Sequence, residues 1–477
     1  MPGLITVEDL CREGFLDESH DGEEYLKIED SSGDEQEADE VVHHDPAMVQ
    51  LSDQIYDFFN AHKEDIKMAH DKLQLRDMLY NELKDVFPHS GLYIVGSSLN
   101  GFGTNGSDMD MCLMIANTEL LNKTDAIRIL SLVMTTLGQK SLVRDQKLIH
   151  AKVPILRVYF HAPYDKVMVD INANNAVAIK NTHLLLNYAS FDWRIRPLVS
   201  VVKGWAKRCG MNDASRSTFT SYSLVLMIMH YLQCGLETPL IPSLQEVFKE
   251  KFNTNNNVRT LDMAKAVGPE NLPDWKVNRE STIGDLLLGF LHYYANFDFD
   301  RDAISVRLGR RTPRSYVASN NGSPFNQNVS QWRCVCIEEP FTLANAAHSV
   351  YDDVVFRAIQ GMFKTGYEVL KASHDLNKLM AMKPLSVPDN HLRMTHFTAP
   401  VTVMDRSNSD ASIKSKDANA NKSSGSKIPS QDKDGIAFRS PETQNLLAQL
   451  FGAMPKQQLY KEKMSAPMEK KSVQHVS

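Results

Sequence analysis

Apolar and polar positions follow three regimes along the chain. Over residues 53–87, Ile55, Phe58, Phe59, Ile66, Leu73, Leu75 and Leu79 recur at helical intervals among charged residues, which predicts a helix with one buried stripe. Over 92–171 the interval shortens to two. The runs 92–95, 109–115, 155–160 and 167–171 read as strands, with a helical stretch at 124–137 between them. From Leu184 onward the helical interval returns at higher apolar density, most clearly over 197–209, 221–232 and 283–295. The fold class this order predicts is α+β: a small mixed-sheet domain over 48–190, then a mostly helical one over 191–390.

Both ends break the pattern. Residues 1–47 hold 16 acids against Arg12 and Lys27, a net charge of −14 on a chain whose total is −7. Such a segment buries too little apolar surface to offset its ordering entropy, so a disordered acidic arm is expected, most simply as a solubilising tail. Residues 391–477 are expected to be a disordered Ser/Lys-rich tail, with eight serines between Ser407 and Ser430. Within it, 442–454 places Leu446, Leu447, Leu450 and Phe451 on one helical stripe, the pattern of a partner-docking helix or of a chance cluster.

Composition narrows the function classes. The chain has 477 residues, 42% of them hydrophobic, which is globular. Its six cysteines form no C-x-x-C pair and no zinc spacing, so a reduced intracellular compartment is expected. The amino terminus lacks a basic segment followed by an apolar core, and the longest apolar stretch, 223–236, is interrupted by His230 and Gln233. Neither secretion nor a membrane span is expected.

The run Gly101-Phe102-Gly103-Thr104-Asn105-Gly106 satisfies G-x-G-x-x-G, but the alternating residues after it read as a strand where a dinucleotide fold needs a helix. That strand carries Asp108 and Asp110, one pleat apart on one face. Two such close carboxylates repel unless a cation lies between them, and oxygen-only ligands suit a hard ion such as Mg2+. Asp170, in Val167-Met168-Val169-Asp170-Ile171, would complete the site if its strand is a neighbour; a solvated strand end is the bland alternative. Upstream, Leu92-Tyr93-Ile94-Val95-Gly96-Ser97-Ser98 leads a strand into a turn whose amides and hydroxyl suit a phosphate chain. A phosphate turn, a carboxylate pair and a third carboxylate together suit metal-assisted nucleotidyl transfer.

Gly96-Ser97, then Asp108-Met109-Asp110, then Val169-Asp170-Ile171 resembles the signature of the DNA polymerase β-like nucleotidyltransferases. The wording of 95–104 is closest to the noncanonical cytoplasmic poly(A) polymerases, or terminal nucleotidyltransferases, a resemblance that covers about residues 50–375. It implies a nucleotidyltransferase catalytic domain packed against a helical central, poly(A) polymerase-associated domain, with a cleft between them and the first helix lying on the central domain. It further implies two Mg2+ (or Mn2+) ions held by Asp108, Asp110 and Asp170, with Asp170 helping to activate the RNA 3′-hydroxyl. Lys203 and Lys207, which by spacing alone share a helix face that would ordinarily be solvated, become contacts for the β and γ phosphates. Tyr222, by itself a core tyrosine, becomes a platform for the base; Ser221 contacts phosphate; and Asn181 and Thr182, otherwise a helix cap, contact the ribose.

The segment 336–350 resembles the family's nucleotide-recognition loop, with Glu339 against the base. Uridylyl-transferring relatives place a histidine before the loop's Asn; here Leu343-Ala344-Asn345 lacks it, which favours ATP. His348 departs from the arginine common in relatives. Arg307, Arg310, Arg311 and Arg314 form a basic patch suited to the RNA backbone, and no RNA-reading module is visible. The expected function is template-independent, cytoplasmic addition of AMP to RNA 3′ ends, with an RNA-binding protein as recruiting partner. A terminal uridylyltransferase and a catalytically inactive adaptor are the alternatives.

Overall fold

A computed structural model describes residues 45–115, 123–151, 153–319 and 329–388. Residues 1–44 of the acidic arm, the serine-rich segment and the 442–454 stripe lie outside the described residues. The helix expected over 53–87 is two helices, α1 (Pro46–His62) and α2 (Ile66–Leu83). The first starts inside the expected arm because Asp45 caps it and Pro46 suits a first helical position. The chain leaves helical geometry at Lys63, which bridges to Thr104, and resumes behind Asp65, whose carboxylate accepts from Met68 N–H at 2.7 Å. The break is a tertiary effect, since Asp65 N–H also donates to Asn105 Oδ1 at 2.8 Å.

The main sheet comprises β1 (Gly91–Val95), β2 (Met109–Met114), β3 (Val143–Ile149), β4 (Ile155–Phe160) and β5 (Met168–Ala173), with α3 (Lys123–Leu137) between β2 and β3. Its order is β1-β2-β5-β4-β3, with β2 and β5 parallel and all other neighbours antiparallel. Strand β3 is not among the expected strands. As an edge it is exposed and its charged sequence, Val-Arg-Asp-Gln-Lys-Leu-Ile, lacks apolar alternation. Met109, Met111, Leu113, Leu156, Val158, Phe160, Val169 and Ile171 are fully buried on one face, which α3 covers with Ile129, Leu130, Val133 and Leu137. The pleat therefore sends Asp110, Arg157 and Asp170 to the other face.

Among the described residues the second half is built on five longer helices, α4 (Ala176–Phe191), α5 (Ile195–Arg208), α6 (Ser221–Cys234), α7 (Ile283–Ala295) and α8 (Asp353–Ser373), with shorter ones between them. Trp205, Phe290, Tyr294 and Phe363 meet at ring-centroid distances of 5.1–6.0 Å to form its aromatic centre. Helix α1 packs on α5 and α7. The approach to α7 is close enough to require a glycine: a Cβ on Gly284 would stand 2.7 Å from Met48 O, and Gly284 N–H donates to Ser52 Oγ at 3.0 Å. A small sheet, absent from the expectation, orders β7 (Thr312–Pro313), β6 (Asp302–Ser305) and β8 (Ile337–Glu338). These strands are too short to show a period of two. Among the described residues, no helix is long and apolar enough to cross a membrane.

Candidate functional site

The parallel pairing of β2 and β5 sets Asp110 directly beside Asp170, and β1 delivers the turn Gly96–Ser98 to the same end of the sheet. Gly96 is needed there twice over. Its φ is +70°, and a Cβ would lie 3.1 Å from Asp110 Oδ2. No helix opens after the Gly101 to Gly106 run; Ser107 N–H returns to Thr104 O at 2.8 Å in a turn.

The charges at this end are uneasy. Burial, then Asp170 and Asp108, push the Asp110 carboxyl up to about 7. Burial and Asp170 also raise Asp108, which sits exposed at the strand entry. Asp170, 7% exposed, is held by Arg157 of β4: Nε donates to Oδ1 at 2.8 Å and Nη2 to Oδ2 at 2.7 Å. Two crowded oxygen ligands with an elevated protonation range fit a hard divalent cation. Asp170 lies beside them, the largest charge neighbour of each, although among the described residues no three carboxylate, imidazole or thiol groups converge as a ready cation cage.

Beneath the turn lies a bonded support that sequence reasoning missed. Lys72 of α2, 2% exposed, pairs with Glu64 and donates to Ser98 Oγ at 2.9 Å and Ser107 O at 3.1 Å. Ser98 Oγ donates in turn to Asp108 O at 3.1 Å. A lysine within a charged helical stretch carries no signal of this; only the fold shows that it faces inward.

On the other wall, Lys203 Nζ donates to Phe102 O at 2.9 Å, and burial with the nearby Lys207 lowers its ammonium to about 8. Lys207 is exposed one turn on. Arg196 of the same helix donates to Gly101 O at 3.2 Å. Asn181 Oδ1 is buried with no partner, whereas the Thr182 hydroxyl is fully engaged. It donates to Ala178 O at 2.7 Å and accepts from Gly96 N–H at 2.8 Å, tying α4 to the phosphate turn. Ser97 stands half-buried on that turn. Ser221 and Tyr222 open α6, where Thr220 and Ser223 form a capping box; the first amides of α6 stand at the positive end of its dipole. Ser221 Oγ itself donates to Asn212 Oδ1 at 3.0 Å.

Tyr222 OH donates to Glu339 Oε1 at 3.1 Å, and burial with the facing carboxylate raises the phenol well above its ordinary range. The other oxygen of Glu339 accepts from Phe341 N–H at 3.1 Å and from the Thr342 amide and hydroxyl. Leu343 takes the left-handed region at φ 59° within this loop, held by its N–H on Glu339 O at 2.9 Å.

The four arginines do not form one open patch. Arg307 makes a two-pronged pair with the buried Glu338 at 2.9 and 3.0 Å. Arg314 donates to the carbonyls of Phe299, Trp332, Arg333 and Cys334. Arg311 lies over Tyr293 and Phe297, 4.9 and 5.2 Å from their ring centroids, and Arg310 is exposed. In this structure the guanidiniums of Arg307 and Arg314 hold the β6–β8 region together.

Known proteins resemble the chain over these same elements. The family described as poly(A) RNA polymerase, mitochondrial-like, central palm domain matches residues 51–190, and Cid1 family poly A polymerase matches 282–345. "Poly(A) RNA polymerase gld-2" of Caenorhabditis elegans is 48% identical over 390 residues, 73% of this chain, which spans 35% of that relative's length. "Poly(A) RNA polymerase GLD2" of Bos taurus is 39% identical over 70% of this chain and 67% of its own. A solved GLD-2/RNP-8 complex superposes with a TM-score of 0.64 at 53% identity, covering 71% of this chain and 99% of the solved one.

Proposed function

The chain belongs to the GLD-2 family of poly(A) RNA polymerases, and from that premise we propose that it transfers AMP from ATP to the 3′-hydroxyl of RNA, without a template and with release of pyrophosphate. The observation that carries the reading is the β2–β5 register, which seats Asp110 beside Asp170 with the Gly96 turn packed against Asp110. Asp108, Asp110 and Asp170 would hold two divalent ions, Mg2+ or Mn2+, which when bound lower the pKa of the attacking hydroxyl and neutralise charge on the phosphates.

The chain's own groups do the rest. Gly96 and Ser97 present the turn to the triphosphate, and Lys203 leaves Phe102 O to meet the β and γ phosphates beside Lys207 and the α6 N-terminus. Tyr222, fixed by Glu339, offers its ring to the base, and the unpartnered Asn181 Oδ1 faces the ribose. Asp170 takes the proton of the 3′-hydroxyl. No histidine precedes Asn345, which supports ATP over UTP. The GLD-2 of the solved complex is bound to RNP-8. By that precedent, a protein partner brings this chain to its RNA, in the cytoplasm.

The test is extension of a labelled single-stranded RNA by purified protein with Mg2+ and each NTP separately, beside the Asp108→Ala/Asp110→Ala protein. A ladder with ATP that the double variant loses supports the reading. A ladder mainly with UTP overturns the base choice. No ladder with any nucleotide, even with an RNA-binding partner present, overturns the activity.

A further inference from the structure

One row of residues crosses four strands on the face of the main sheet opposite α3. Asp110 pairs with Asp170 across β2 and β5, Asp170 with Arg157 across β5 and β4, and Arg157 with Lys147 across β4 and β3. Cross-strand partners share a face, so the row reads as two carboxylates followed by two cations. Within the row only the two middle members are paired with an opposite charge. The acidic half requires a cation, and the basic half, where Lys147 and Arg157 stand directly opposite one another, requires an anion. In the free protein the two middle members satisfy each other, through the paired 2.8 and 2.7 Å hydrogen bonds that occupy both oxygens of Asp170.

We propose that Arg157 is a positioning residue that clamps Asp170 in the free protein and is drawn off it by a phosphate of the incoming RNA 3′ end, so that the third metal carboxylate opens only when the acceptor has arrived. The proposal rests on the nucleotidyltransferase reading above. Three features of the structure carry it. The first is access: the Arg157 side chain is 29% exposed and Lys147 is exposed, so a polyanion can reach the guanidinium from solvent while Asp170 stays buried. The second is chemistry. A guanidinium fork fits a phosphodiester as well as it fits a carboxylate, so one anion can replace the other without loss of hydrogen bonds. The third is continuity along the strand: Tyr159, two residues from Arg157 on the same face, has the Arg144 guanidinium 5.7 Å from its ring centroid. This extends a stacking surface of the kind that holds single strands, with the exposed Asp145 standing opposite Tyr159 among its cations.

The consequence is reciprocal coupling between RNA and metal. The test uses the full chain and Mn2+, titrated by the electron paramagnetic resonance signal of the free ion, with and without an oligo(A) ending in a 3′-deoxynucleotide; Mn2+ bound by the RNA alone is subtracted. Without RNA, Arg157→Ala is expected to bind Mn2+ about tenfold more tightly than the wild type, with Arg157→Lys between them, because the ion no longer has to displace the two charge-assisted hydrogen bonds on Asp170. RNA should tighten Mn2+ binding to the wild type by a similar factor and leave Arg157→Ala unchanged. Equal Mn2+ affinity of the RNA-free wild type and Arg157→Ala, or an equal effect of RNA on both, overturns the clamp.

A second arm measures RNA affinity without metal. Asp170→Ala should bind RNA more tightly in the wild-type background and lose that gain when combined with Arg157→Ala. The same gain in both backgrounds would mean simple removal of charge, and overturns the clamp. Extension of a 3′-hydroxyl RNA with ATP is followed in parallel. Extension without any Mn2+ coupling removes the clamp and keeps the enzyme, whereas coupling without extension keeps the clamp and removes the activity.

Discussion

The proposed base side and phosphate side of the site are built on opposite principles. Around the base, hydrogen bonds are filled from within: Glu339 serves Tyr222, Phe341 and Thr342, and Asn345 accepts from Ile337 N–H at 3.1 Å and Ala347 N–H at 3.0 Å while donating to the carbonyls of Gln331 and Val335. Where the phosphates are proposed to bind, charges are left unresolved: Asp110 is crowded and Lys203 rests on a single carbonyl. A surface that must select one base gains from being rigid before the ligand arrives. A surface that binds ions and a polyanion gains from needing them, because the ligands then relieve repulsion already present in the protein.

The contrast breaks most completely if the charged side is emptied. Asp108→Ala/Asp110→Ala is expected to lower the rate of RNA extension by about 10³-fold or more, as is chelation of divalent ions in the wild type, read on the same gel. Next in size is the support beneath the turn. Lys72→Met strands Glu64 as a buried, uncompensated carboxylate and is expected to cost about 3–5 kcal/mol in urea unfolding, most of it recovered in Glu64→Gln/Lys72→Met. A double variant as unstable as the single one would show that the pair does not act as a unit.

A gain in stability is expected from Asp110→Asn. Because the folded protein holds this carboxyl up to about 7, above its ordinary range, it binds the proton more tightly folded than unfolded. Stability of the metal-free wild type should therefore fall as pH rises from about 4 to about 7 and level off above that. Asp110→Asn should remove this slope and add on the order of 2 kcal/mol at pH 7.5 while abolishing activity, which thermal unfolding across pH would check. The smallest effect belongs to the preorganised side. Tyr222→Phe keeps the ring and removes one hydrogen bond to Glu339, so about 1 kcal/mol is expected, read as a severalfold rise in KM for ATP with kcat little changed. A large fall in kcat instead would mean that the base side is not merely a preformed seat.

Much of this was legible before the fold was known. Asp108 and Asp110 announce themselves by alternation, and Gly96 and Ser97 by their place after a strand. Strands 155–160 and 109–115 are apolar enough on one face to be recognised. Arg157 was not legible as a partner of Asp170, because nothing in Ile-Leu-Arg-Val-Tyr-Phe says that β4 lies next to β5. The bond of the Thr182 hydroxyl to Gly96, 86 residues away, was not legible for the same reason. The arginine cluster looked like a patch because proximity along the chain says nothing about direction, and Glu338 and four carbonyls claim two of its members.

The sequence by itself determined the local terms: which runs alternate, which repeat at helical spacing, where two carboxylates must share a face, and where a turn must lie. These follow from periods of two and 3.6 residues and need only neighbours along the chain. Tertiary structure alone decided the strand order, and with it the row from Asp110 to Lys147, the break between α1 and α2, and the inward turn of Lys72. Each of these depends on free energy shared by groups tens of residues apart, so it exists only once the chain has brought them together.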